Sequence, residues 1–155
     1  MLRWQTLANS QVIRLVKEGA LYTSARPGRQ RGRNVLPLRQ DIDDWIREAR
    51  SLGIRTIICV LEDRSQLHRY YDSLNLHLWG LLGYYVQMGF EVFYFATTDY
   101  QRVPDWVREE AKRLLGCVPK PVVLQDSGGA GRTGQIARYI VGTPTGRRLE
   151  RRDHA

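Results

Sequence analysis

The spacing of hydrophobic and polar residues changes along the chain and predicts strands that alternate with helices. Residues 54–61 form a β-branched apolar run, which is typical of a strand buried on both faces. Residues 34–38 include Pro37, so this segment is predicted to be an edge strand or no strand. Three further strand candidates cover residues 20–25, 90–96 and 121–125.

Between these strands, apolar residues recur three and four positions apart, which is the spacing of an amphipathic helix. The first helix is predicted to begin at Asp41, as its N-cap, and to end at Gly53. Gly80 and Gly83 weaken a long helical pattern, which is interpreted as one helix or two. The other predicted helices cover residues 65–88, 104–115 and 135–141.

This alternation within 155 residues predicts a single α/β domain. Its central sheet should be mostly parallel, with helices on both faces, because parallel strands need crossover connections. The domain is expected to cover residues 1–142, and residues 143–155 are expected to form a basic polar tail. A ligand should bind at the carboxyl ends of the strands.

The positive net charge of the chain favours anionic partners. The chain has 24 Lys and Arg residues against 16 Asp and Glu residues, which gives a net charge of +8. Four arginines fall within residues 26–33, whose glycines and proline predict a turn-rich loop. This loop is interpreted either as a solvated basic loop or as a loop that contacts an anion.

The two cysteines argue against several classes of protein. Cys59 and Cys117 form no CxxC pair and no zinc spacing, so we expect no disulfide framework and no structural zinc site. No metal ligands and no cofactor are predicted for the chain. Cys59 lies inside a predicted strand and is expected to belong to the core. Residues 1–19 mix charged with apolar residues, and no apolar run approaches the roughly 20 residues of a membrane span. A cytoplasmic location is therefore expected.

A glycine-rich segment carries the most specific chemistry. Residues 125–134 have the sequence Gln-Asp-Ser-Gly-Gly-Ala-Gly-Arg-Thr-Gly and connect a predicted strand to a predicted helix. Successive N–H groups of such a turn can form a nest for a tetrahedral anion, and Arg132 can add a bidentate contact. The spacing matches neither a Walker A loop nor GxGxxG, and an ordinary β-to-α turn is the structural alternative. The predicted phosphate-binding residues are Ser127, Gly128, Gly129, Ala130, Gly131 and Arg132.

The segment resembles the phosphate-binding loop of the cysteine-dependent protein tyrosine and dual-specificity phosphatases, whose signature is HisCys, five residues, Arg, then Ser or Thr. Arg132 follows Asp126 by six positions, as the arginine of the family follows its cysteine, and Thr133 occupies the Ser/Thr position. Residues 97–104 resemble the loop that carries the general acid of the family, with Asp99 as the matching residue and Asp105 as its rival.

The resemblance covers roughly residues 20–141 and implies the phosphatase fold. It also implies hydrolysis of phosphorylated tyrosine, serine or threonine side chains, with catalytic positions at Asp126, Arg132, Asp99 and Thr133. Other phosphomonoesters, such as RNA 5′ ends, nucleotides or phosphoinositides, are alternative substrates that the arginines of residues 26–33 would suit. A phosphorylated protein is the favoured partner over nucleic acid, and the oligomeric state stays open.

The sequence departs from the family at the nucleophile, because Gln125 and Asp126 stand where HisCys is expected. In one interpretation, Asp126 has been introduced in place of the cysteine of an active phosphatase. In a second, the chain is a naturally silent module that binds phosphate. In a third, Asp126 attacks phosphorus to form an acyl phosphate, although no second carboxylate flanks it to hold a metal. Asp126 could also cap the N–H of Gly128 or Gly129 without a catalytic role.

Overall fold

The structure is a computed structural model that describes residues 12–61, 64–97 and 101–142. Within these ranges, five strands form a single sheet with helices on both faces. The strands are β1 (Ile13–Lys17), β2 (Leu21–Ala25), β3 (Thr56–Cys59), β4 (Glu91–Tyr94) and β5 (Val122–Asp126). The helices are α1 (Arg39–Ser51), α2 (Arg64–Tyr71), α3 (Gly80–Gln87), α4 (Asp105–Leu115) and α5 (Gly131–Val141).

The strand order across the sheet is β1-β2-β5-β3-β4. β1 pairs with β2 in antiparallel orientation, and the other neighbouring strands are parallel. The predicted mostly parallel α/β fold is therefore confirmed. β5 lies at the centre of the sheet, where both of its edges are hydrogen-bonded to neighbours.

The two faces of the sheet support separate hydrophobic cores, because successive side chains of a strand point to opposite sides. Ile57 and Val123 pack with the buried faces of α1, α2 and α3. Ile58 and Leu124 belong to the core formed with α4 and α5. Cys59 is fully buried in the first core, which confirms its predicted place.

The region predicted as one helix or two contains two. α2 is followed by a 3-10 turn (Asp72–Leu74), and α3 begins at Gly80, whose φ is +69°. Residues 34–38 form no strand, in keeping with the Pro37 argument. None of the helices in the described part of the chain is long and apolar enough to cross a membrane.

Three boundaries differ from the predictions. Asp41 is not the N-cap of α1, because Leu38 holds that position and Asp41 Oδ2 accepts the Leu38 N–H at 2.8 Å from the first helical turn. α5 begins at Gly131 instead of 135, so it includes the second half of the glycine-rich segment. β1 lies outside every predicted element, because only Ile13 of this edge strand is buried. An edge strand of this kind needs no continuous apolar run.

Candidate functional site

Residues 126–132, the phosphate loop, connect the central strand to a helix. Asp126 is the last residue of β5, and Arg132 and Thr133 lie in the first turn of α5. The side chains of these three residues are almost completely buried, with at most 2% of their surface exposed. The N-terminus of α5 therefore follows the carboxyl end of the central strand β5, which is where the sequence predicts that an anion binds.

The carboxylate of Asp126 is hydrogen-bonded to the backbone of this turn. Its Oδ1 accepts the N–H of Gly129 in a short contact, and its Oδ2 accepts the N–H of Thr133 at 3.0 Å. A carboxylate in this position is stabilised by the amides and by the helix N-terminus. The side chain of Asp126 thus connects the start of the turn to its later residues. The two N–H groups that it accepts are therefore not available to an anion.

Gly129 allows the turn to pass close to β2. Its φ is +85°, and a Cβ at this position would lie 2.6 Å from the backbone nitrogen of Ala25. A side chain would therefore meet backbone atoms in a conformation that residues other than glycine rarely adopt. Gly128 has no such restriction, because a Cβ there would meet nothing within 4 Å.

Arg132 links the phosphate loop to the segment after β4. Its Nη1 donates to the carbonyl oxygen and to the hydroxyl of Thr97, both at 3.1 Å. At the other end of that segment, Gln135 of α5 accepts the N–H of Val103 at 2.7 Å. Both ends of the segment are therefore attached to α5. Asp99, the predicted general acid, lies outside the described residues.

Asp105, the other candidate for the general acid, is held in ion pairs at the start of a helix. It is the first residue of α4, and its carboxylate pairs with Arg102 at 3.0 Å and with Arg108. The hydrogen bond from Arg108 and the charge of Arg102 lower the pKa of Asp105. A general acid needs a pKa raised towards the working pH, so this environment does not suit the role.

Gln125 stands at the position that is histidine in the phosphatase signature, and it is held by contacts in the core. Gln125 is completely buried, and its Oε1 accepts the hydroxyl of Tyr85 at 3.1 Å. The thiol of Cys59, on the neighbouring strand β3, is 3.9 Å from the same oxygen. Burial strongly raises the pKa of the Cys59 thiol, so it remains protonated and cannot replace the missing nucleophile.

A buried arginine connects the phosphate loop to residues 26–33, the basic segment. Arg26 is completely buried, and its Nε donates to Ser127 Oγ at 3.3 Å. Its Nη2 donates to the carbonyl oxygen of Arg33 at 3.3 Å, and the guanidinium lies 3.8 Å from the centre of the Tyr70 ring. The cluster of arginines in the sequence allowed either a solvated loop or a loop that contacts an anion, and it did not indicate that Arg26 would be buried.

The basic segment and the phosphate loop line a common cavity of about 420 Å³, the loop cavity. Asp126 and Arg132 line it together with three further arginines, Arg29, Arg33 and Arg102. On its other side, the basic segment lines a second cavity of about 270 Å³, the acidic cavity, with Arg31 next to carboxylates of α1. Those carboxylates belong to Asp41, Asp44 and Glu48.

Solved structures share this arrangement of strands and helices. Tk-PTP in its active form superposes with a TM-score of 0.53 and 18% sequence identity, over 81% of this chain and 68% of that chain. The chain has the fold of the protein tyrosine and dual-specificity phosphatases. The kinase-associated phosphatase KAP, solved with serine in place of its catalytic cysteine, gives a TM-score of 0.55 and 22% identity. That superposition covers 84% of this chain and 71% of KAP.

No protein-family model matches the sequence, and no curated protein matches it. The assignment of the phosphatase fold therefore rests on structural similarity at low sequence identity. The similarity shows the fold, and fold alone does not determine the reaction.

Proposed function

We propose that the phosphate loop binds a phosphomonoester, in the first instance a phosphorylated protein side chain, and holds it without hydrolysis. The observation that carries this proposal is the buried carboxylate of Asp126 at the nucleophile position, hydrogen-bonded to Gly129 N–H and Thr133 N–H. A carboxylate stabilised in this way is a poor nucleophile, and its negative charge opposes the approach of a phosphate dianion.

Binding relies on the positive groups around that carboxylate. Arg132 supplies the guanidinium of the loop, and the remaining amides of residues 127–131 supply backbone donors. Four arginines and one carboxylate are among the residues that line the loop cavity, and one of these arginines, Arg102, is paired with Asp105. Arginines therefore outnumber carboxylates in the described lining. The excess favours an anion that approaches from solvent.

The proposal is tested by measuring the binding of inorganic phosphate by calorimetry and the hydrolysis of para-nitrophenyl phosphate, with and without magnesium. We expect the chain to bind phosphate without turnover. Arg132→Ala should weaken binding about 100-fold, because it removes charge-assisted hydrogen bonds. Arg138→Ala is the matched control, because Arg138 is an exposed arginine of the same helix. Retention of phosphate affinity in Arg132→Ala would show that the site is elsewhere.

Two substitutions at Asp126 separate binding from catalysis. Asp126→Ser removes the carboxylate, so it should strengthen phosphate binding about tenfold and leave turnover absent. Asp126→Cys restores a thiol at the nucleophile position, so hydrolysis in this variant alone would mean that the rest of a cysteine phosphatase is in place. Hydrolysis by the unaltered chain that Asp126→Ser abolishes would contradict our proposal and favour attack by Asp126 on phosphorus.

A further inference from the structure

Arg26 is a buried cation next to the start of the phosphate loop. The parallel register of β2 and β5 pairs Ala25 with Asp126, and the residues that follow them, Arg26 and Ser127, are also neighbours. The backbone N–H of Arg26 donates to the carbonyl oxygen of Ser127 at 3.3 Å, and its Nε donates to Ser127 Oγ at 3.3 Å. Both the backbone and the side chain of Arg26 therefore hold Ser127.

The guanidinium of Arg26 keeps its charge, because arginine is not deprotonated in proteins. The groups that it contacts are neutral: the Ser127 hydroxyl, the carbonyl oxygen of Arg33 and the ring of Tyr70. Within residues 12–61, 64–97 and 101–142, no carboxylate forms an ion pair with Arg26, and its buried Nη1 has no hydrogen-bond acceptor. A buried charge among neutral groups destabilises a fold, so packing alone does not account for this residue.

The location of the charge suggests what balances it. Ser127 directly follows Asp126, whose buried carboxylate opposes the binding of a phosphate. Charges that are removed from water act on one another over longer distances than charges at the surface, because solvent screens them less. A positive charge behind the phosphate loop therefore lowers the cost of bringing an anion to a turn that already holds a carboxylate. Arg26 is not among the described residues that line the loop cavity, so it would act without touching the anion.

We propose that Arg26 is a positioning residue of the phosphate loop. It holds Ser127 so that the amides of the loop face an anion, and its buried charge offsets the charge of Asp126. This inference rests on the proposed function, because the anion is the phosphate described there. It adds a residue outside the loop cavity on which phosphate affinity depends.

The test measures the binding of inorganic orthophosphate to the full chain by calorimetry at pH 7. Arg26→Met keeps an unbranched side chain without its charge, and it should weaken binding about tenfold. Arg26→Lys restores a positive charge, so it should bind within about threefold of the unaltered chain. Ser127→Ala removes only the hydroxyl that accepts Arg26 Nε, and it should weaken binding about threefold.

Tyr71→Phe is the matched control, because the hydroxyl of Tyr71 donates to the carbonyl oxygen of Pro27 at 2.7 Å and so fixes the residue next to Arg26 from the side of α2. It should leave orthophosphate affinity within about twofold of the unaltered chain. If Tyr71→Phe weakens binding as much as Arg26→Met does, Arg26 only fixes the basic segment and the inference is wrong. The inference is also wrong if Arg26→Lys binds no better than Arg26→Met.

Thermal unfolding without phosphate shows whether each variant is folded. Arg26→Met removes a buried charge, so it should be no less stable than Tyr71→Phe. If Arg26→Met does not fold, Ser127→Ala decides the question, and an unchanged affinity in that variant contradicts the inference.

The proposed function and this inference fail in different ways. Failure of the unaltered chain to bind orthophosphate, or binding that Arg132→Ala leaves intact, would overturn the proposed function itself. Loss of binding in Arg132→Ala together with full binding in Arg26→Met would overturn only the role of Arg26.

Discussion

The basic segment contributes to two cavities of opposite charge. The acidic cavity combines Arg31 with three carboxylates of α1, and Arg31 donates to one of them, Asp41, at 2.6 Å. The loop cavity has the reverse composition, with four arginines and, among its described lining residues, a single carboxylate in Asp126. One run of arginines in the sequence thus lines two cavities, with Arg31 paired to Asp41 in one and Arg29 and Arg33 in the other.

This difference predicts a structural role for Arg31 and, under the proposed function, an anion-binding role for arginines of the loop cavity. The hydrogen bond from Arg31 to Asp41 raises the pKa of the guanidinium, and Asp41 also accepts the Leu38 N–H at the start of α1. In the loop cavity, the oxygens of Asp126 accept backbone N–H groups. Substitutions on the acidic side should therefore change stability, and those on the loop side should change anion binding.

The largest change in stability is expected at Gly129, where the turn of the phosphate loop needs a positive φ. Gly129→Ala forces a positive φ on a residue with a side chain and places its Cβ against the backbone of Ala25. We expect a loss of about 2–4 kcal/mol in the free energy of unfolding and loss of phosphate binding, because the turn must move. Urea unfolding and calorimetry would measure the two effects.

Gly128→Ala is the matched control, because the added Cβ meets nothing within 4 Å. It should leave stability within about 0.5 kcal/mol of the unaltered chain, as a surface substitution does. Equal destabilisation by the two substitutions would contradict the account of the turn given above.

A smaller effect is expected in the acidic cavity. Asp41→Asn removes the charge that pairs with Arg31 and weakens the hydrogen bond to Leu38 N–H. Because Asp41 is buried, we expect a loss of about 1–2 kcal/mol in the free energy of unfolding. Affinity for orthophosphate should change little, since Asp41 does not line the loop cavity. Asp43→Asn, at a more exposed position of the same helix, is the control.

If Asp41→Asn instead weakened phosphate binding as strongly as Arg132→Ala, the two cavities would not be independent. Denaturant unfolding and phosphate calorimetry on the same preparations would decide this. A coupling of that size would mean that the Arg31–Asp41 pair positions the whole basic segment.

Local spacing was enough to predict four of the five described strands, the helices and the glycine-rich turn, because apolar periodicity and glycine content are properties of short segments. It could not show that Arg26 is buried, because its partner Ser127 is 101 residues away in the chain. The bond from Arg132 to Thr97 spans 35 residues and was missed for the same reason. The sequence predicts Asp41 as the N-cap, but Asp41 is the third helical residue and accepts a hydrogen bond from the N-cap backbone. An aspartate at either position precedes the apolar stripe of a helix, so the pattern alone does not distinguish the two.

The predicted phosphate-binding residues do converge in space, but which of them contact an anion remains a prediction. The sequence identified Asp126 as a departure from the phosphatase signature. Only the structure gave its two hydrogen bonds to the backbone, because these depend on how the turn folds onto α5. The division of the arginines between two cavities likewise depends on the path of the backbone between β2 and α1.

A pH dependence of stability is expected at Glu48 of the acidic cavity. Burial raises the pKa of Glu48 to about 7 from the usual 4.5, although the N–H of Ile13 lowers it in part. A carboxyl whose pKa is higher in the folded state contributes stability below pH 4.5 and loses that contribution as the pH rises through about 7. Glu48→Gln should therefore resemble the unaltered chain below about pH 4.5 and be more stable than it at pH 8.

The measurement is the difference in unfolding free energy between Glu48→Gln and the unaltered chain across this pH range. Groups shared by both proteins cancel in the difference, so its pH dependence reports on Glu48. Glu109→Gln, an exposed position of α4, is the control for replacing a glutamate on a helix surface. If the difference for Glu48→Gln does not change with pH, the carboxyl of Glu48 is solvated and its pKa is not raised by burial. In the expected case, phosphate affinity in the loop cavity is the same for both proteins at pH 8, because Glu48 lies on the other side of the basic segment.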